Sequence, residues 1–95
     1  MPKSIEQRVR DASRGVLEPS ARQRVASGIY DELRMSDTMD GVVFENVVLL
    51  NGMTIRNGTA RGTIIVPIGA HADLGGSLVN VRYWSWEKID EEFDV

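Results

Sequence analysis

The 95-residue chain has no cysteine and a single histidine. The first absence excludes disulfide scaffolds, thiolate zinc sites, iron–sulfur clusters and cysteine nucleophiles; the second excludes multi-histidine metal sites. Aromatic residues are scarce, at 6%. No apolar run approaches the length of a membrane span or a signal-peptide core. With 42% apolar and 26% charged residues, the chain has the composition of an ordinary folded protein, not of a disordered or low-complexity one. At this length there is room for one core, so residues 1–95 are expected to form a single domain. The expectation is a cytoplasmic protein with no membrane partner, no cofactor and no metal.

The net charge of −3 conceals an asymmetry. Residues 1–34 carry seven cations against five acids, whereas residues 35–95 carry four against nine, and five of those nine fall in the last nine positions. A weakly basic front end can meet an anion that the acidic end repels. An isoelectric point near 5.0 argues against general coating of nucleic acid.

Residues 1–35 read as a helical hairpin. Ser4 with Gln7 forms a capping box, and Ile5, Val9, Ala12 and Val16 recur on one helical stripe. Ser20 with Gln23 repeats the box, and Ala21, Val25, Ile29 and Leu33 follow at four-residue steps. Residues 42–86 read as a β-meander. Val42 to Leu50 is apolar and β-branched and ends at Asn51-Gly52, a dipeptide suited to a type I′ hairpin; a second Asn-Gly follows at Asn57-Gly58. Thr63 to Ile68 and Leu78 to Trp86 complete the strands, and residues 87–95 form an acidic C-terminal segment. The expected fold class is α+β: an N-terminal two-helix hairpin, then a small, mainly antiparallel four-stranded sheet or partly closed barrel.

The stretch Val42-Val43-Phe44-Glu45-Asn46-Val47, followed by Met53-Thr54-Ile55-Arg56-Asn57-Gly58-Thr59, also resembles a coil of a right-handed parallel β-helix, in which short apolar strands alternate with turn asparagines. The resemblance covers about a quarter of the chain. It implies a solenoid, which needs about three stacked repeats to bury its face.

Strict alternation places Val42, Phe44, Asn46, Val48 and Leu50 on one side of the first strand and Val43, Glu45, Val47 and Leu49 on the other. Both sides are largely apolar, and a helix hairpin shelters only one. The other must close into a barrel or meet a partner. The expected function is therefore a non-enzymatic protein–protein interaction or assembly subunit, joined most simply to copies of itself. A structural or regulatory accessory protein of a bacterial virus or mobile element fits this size. Val43, Val47, Leu49, Trp84 and Trp86 are expected to supply burial, and Arg56, Arg61 and Arg82 to orient the partner at the rim.

Two other chemistries carry less support. His71, Asp73 and Ser77 share one glycine-rich loop, which rarely holds a base and nucleophile rigidly enough for catalysis, so no catalytic residue is assigned. The alternative function is a nucleic-acid-binding regulator that uses the second helix to offer Arg22, Gln23, Arg24 and Ser27 to a groove. The interleaved Asp11, Glu18, Asp31 and Glu32 weaken its field.

Overall fold

The computed structural model describes residues 3–18, 25–34, 43–54, 61–73 and 78–94. In chain order the elements are α1 (Ile5–Asp11), β1 (Val16–Leu17), β2 (Val25–Tyr30), β3 (Glu32–Leu33), β4 (Val43–Leu49), β5 (Met53–Thr54), β6 (Arg61–Pro67), β7 (Ala72–Asp73), β8 (Leu78–Trp84) and α2 (Trp86–Glu92). The long strands form one four-stranded sheet in the order β2-β4-β6-β8, and the short ones form two pairs, β1-β3 and β5-β7. Every one of these pairings is parallel.

The register explains the topology. Val25 lies beside Val43, Val43 beside Arg61, and Arg61 beside Leu78, so each circuit of chain takes 17 or 18 residues before the next long strand stacks on the last. This is a short β-solenoid, with long strands stacked on one side and the short β1-β3 and β5-β7 pairs between them in the chain. Its interior holds Leu17, Phe44, Val47, Leu49, Ile64, Val66 and Val79, contributed by long and short strands alike, with Leu33 and Ala72 packed against them. A second cluster lies on the opposite face of the long-strand sheet. There Ile29, Val48, Leu50 and Ile65 meet Val9 of α1 and Ile89 of α2. Each such side chain, fully buried, contributes roughly 1.5–3 kcal/mol.

A bulge in β4 sorts its apolar residues between the two clusters. Between Phe44 and Val47 the strand advances three residues, while its neighbours advance two, from Ala26 to Gly28 and from Gly62 to Ile64. Asn46 absorbs the extra residue with a φ of 54°. Glu45 and Asn46 both stay exposed, Phe44, Val47 and Leu49 turn inward, and Val48 and Leu50 turn toward the helices.

Several expectations are corrected. The second helix of the hairpin does not exist among the described residues, because Val25–Tyr30 is strand β2. A four-residue step is an even number, so Val25, Ile29 and Leu33 satisfy strand alternation as well as a helical stripe, and the parallel ladder decides between them. The antiparallel meander and the partly closed barrel are replaced by parallel coils in an open strand order. Asn51-Gly52 supplies a coil corner in place of a hairpin turn: Gly52 has φ 75°, and a Cβ there would lie 2.0 Å from the carbonyl oxygen of His71 in the next coil. Asn57-Gly58 lies outside the described residues. The capping serine of α1 is as expected, with Ser4 accepting from the Gln7 N–H. The acidic end also contains a helix, α2, capped by Ser85 accepting from the Lys88 N–H.

The two helices are tied together across the sheet face. Arg8 pairs with Asp90 at 3.2 Å, and the Arg10 guanidinium sits 5.1 Å from the Trp86 ring centroid. Lys88 lies 4.6 Å from the Trp84 centroid. Asp90 Oδ1 is buried without a hydrogen-bond partner among the described residues, so the pair with Arg8 is its carboxylate's main compensation.

Two predictions follow from this packing. Gly62 has φ 117°, and a Cβ there would fall 1.9 Å from the Phe44 carbonyl oxygen in the coil below. Gly62→Ala is expected to cost more than about 3 kcal/mol in urea denaturation, since strain of that order adds to a backbone clash; a loss below about 1 kcal/mol would contradict the coil stacking. At the other end, hydrogen bonds from Lys3 and then Gln7 hold the Asp11 carboxyl below its ordinary pKa. Its folded-state pKa is depressed, so its contribution is present above the unfolded value and lost as pH falls through the folded one. Lys3→Ala is expected to raise the Asp11 midpoint in an NMR titration, to lower stability slightly near neutral pH, and to make the loss of stability on acidification shallower, because less of the Asp11 contribution is left to lose.

Candidate assembly surface at the open end of the coil stack

The long-strand sheet has two edges, and they differ. Along β2, the segment Ser13–Gly15 already lies over the downstream half: the Arg14 N–H donates to the Ile29 carbonyl at 2.9 Å, and the Asp31 N–H donates to the Gly15 carbonyl at 2.7 Å. The Arg14 guanidinium also crosses Gly28, 3.8 Å from where a Cβ would stand. Along β8 no described strand lies beyond the pairing with β6. The chain leaves β8 through Ser85 into α2, whose Ile89 packs on the outer face of the sheet instead of over its end. A parallel edge strand of this kind presents a row of unpaired N–H and C=O groups.

The interior row of β8 is correspondingly half-finished. Val79 is buried beneath its own coil and Val81 is partly buried, but Tyr83, in register with the fully buried Val66, is 52% exposed. Ala70 and Ala72, packed against the same interior cluster as Val79 and Val81, are also only partly covered. The outer row of the same strand carries Asn80 and Arg82, both exposed. Among the described residues this end of the stack therefore combines free backbone groups, uncovered apolar surface and one cation on a single strand.

The structure divides the residues expected to meet a partner. Val47 and Leu49 are fully buried inside the solenoid and cannot present their side chains to another molecule. The reason is the closure of the coil around the face that appeared unsheltered. Val43 remains 39% exposed and sits beside Arg61 on the outer face, which Arg82 also joins from β8. Trp84 and Trp86 are half-buried against the helix-side cluster, each with a cation over its ring, and they bind the helix layer to the sheet. Arg56, Arg22, Gln23, Arg24 and Ser77 lie outside the described residues, and Ser27 is exposed on β2. Among the described residues Ser27 lies on a strand and not on a recognition helix, because β2 begins at Val25.

His71 is exposed at the corner above Gly52, and Asp73 lies in β7. Among the described residues no group of three or more histidines and carboxylates is gathered as metal ligands, and no polar or charged residue is buried. An open depression of about 420 Å³ lies between α1 and the coil corners, lined by Glu6, Arg10, Asn51, Ile68 and Trp86 among others. Its charges are already committed, since Arg10 pairs with Glu6 at 3.1 Å and covers Trp86. No described helix is long and apolar enough to cross a membrane.

Tyr83, Val81 and Asn80 are not legible as a binding strip in the sequence, because an edge is a property of the sheet and not of the strand. The available signal was the recurrence of β-branched runs at 17 or 18 residues, which identifies Leu78–Trp84 as the final coil. Comparison with protein-family models, curated proteins and solved structures finds no match to this chain.

Trp86→Ala is expected to lower stability by more than about 1 kcal/mol in chemical denaturation, because it removes a half-buried ring that holds α1 to α2. An unchanged midpoint would mean that the helices do not depend on this contact.

Proposed function

We propose that this protein is a non-enzymatic assembly subunit, a structural or regulatory accessory protein of the cytoplasm, whose free end of the solenoid joins other protein. A small accessory protein of a bacterial virus or mobile element remains the setting that suits its size. The observation that carries the reading is the one-sided pairing of β8: among the described residues its seven positions have a ladder partner on one side only, and Tyr83 stands 52% exposed in the interior row. Isolated exposed edges attract further strands, and natural proteins usually blunt or cover them. β8 has neither proline nor an acidic residue, and its upstream neighbour β6 ends in buried Pro67 before the sheet corner. Assembly does not rest on a bare apolar sheet face, because one face lines the interior and the other is covered in part by α1 and α2.

Sedimentation or light scattering at micromolar concentration tests the reading. The wild-type chain is expected to show a mass above the 10.6 kDa of one chain. Tyr83→Asp, at an already exposed position, is expected to return the mass to one chain with an unchanged circular dichroism spectrum. A wild-type mass of one chain, or an assembly indifferent to Tyr83→Asp, would overturn it.

A further inference from the structure

We infer that the partner of β8 is β8 of a second copy of this chain, paired antiparallel about a two-fold axis through Val81; this rests on the assembly reading above and deepens it. The two ends of the stack do not fit head to tail. The downstream half of β2 is occupied by Ser13–Gly15, with the Arg14 backbone on Ile29 and its guanidinium over Gly28. Head-to-tail addition also leaves an open end after every step and grows into fibres, whereas a two-fold contact closes on itself. A two-fold axis perpendicular to the sheet pairs identical edge strands antiparallel and keeps the interior rows of both copies on the same side.

The strand's own sequence selects one register. Centred on Val81, residue 78 falls opposite residue 84, Val79 opposite Tyr83, Val81 opposite its copy, and Asn80 opposite Arg82. All seven residues of the strand are then paired. The exposed Tyr83 of each copy gains an apolar neighbour in the other's Val79, and the strand's only charge faces a neutral amide. Centring on Arg82 sets the two cations directly opposite each other, which is unfavourable in a cross-strand pair. Centring on Asn80 leaves Tyr83 and Trp84 beyond the end of the partner strand. A register displaced by a single residue sets Val81 against Arg82 and mixes the interior and outer rows. The charge pattern and the exposed tyrosine thus point to the same alignment.

The absence of cysteine makes this register directly measurable, since any introduced thiol is unique. Directly opposed side chains have Cβ atoms about 4.5–5.5 Å apart, and diagonal ones about 7–8 Å, so only the former approach disulfide geometry. Under mild oxidation Val81→Cys is expected to form a covalent dimer. Asn80→Cys mixed with Arg82→Cys is expected to give a mixed dimer several-fold in excess of either variant oxidised alone. The latter two positions are exposed, so the test survives if Val81→Cys fails to fold. Each variant's mass is measured first under reducing conditions. A reduced dimer that crosslinks without this pattern overturns the two-fold pairing and leaves the assembly reading intact; a reduced mass of one chain for all three variants and the wild type overturns both.

Discussion

Each coil of this protein must lie in parallel register on the one before it, and most other features follow from that hydrogen-bond ladder. It fixes the circuit at 17 or 18 residues and brings Phe44 over the backbone of Gly62 closely enough that no side chain fits there. The ladder also separates the two apolar clusters, since a residue's parity along its strand decides whether it points into the coil or toward the helices. Where that parity is shifted, at the bulge carrying Asn46, Phe44 joins Val47 and Leu49 inside the coil while Val48 and Leu50 face the helices.

The part of the fold that depends on local chemistry was legible in the sequence. Ser4 caps α1 because a hydroxyl before a helical stripe satisfies an orphan N–H whatever the rest of the chain does. The strands at Thr63–Ile68 and Leu78–Trp86 were placed to within a residue or two by β-branched composition. The part that depends on distant partners was not. Steps of four residues between Val25, Ile29 and Leu33 serve both secondary structures, and an Asn-Gly corner turns a coil as readily as a hairpin. Parallel and antiparallel pairing differ in where the chain goes after the turn, which no single strand records. The resemblance of Val42–Val47 and Met53–Thr59 to a β-helix coil carried the parallel alternative, yet it spanned too little of the chain to outweigh the meander.

The expected partner surface divided along the same line. Arg61 and Arg82 are exposed, as their place at the rim required, whereas Val43 lies in their outer row and not on the face of Val47 and Leu49 with which alternation had grouped it. Val47 and Leu49 do lie on the face opposite Val48 and Leu50, as alternation requires, but the coil closes over that face; the bulge at Asn46 instead moves Phe44 to the side of Val47 and Leu49. The open end at β8 is a consequence of the number of coils, so it becomes visible only when the stack is assembled.

Solenoids tend to behave as one-dimensional stacks in which each repeat answers only to its neighbours, so that either end can fray while the middle holds. The contact between Arg8 and Asp90 departs from that rule, because it ties an element preceding the first coil to one following the last, 82 residues apart. Closing so long a loop is slow and comes late in folding. Once closed, it makes the two ends of the chain neighbours, so that melting the outermost turn at one terminus also removes packing from the other.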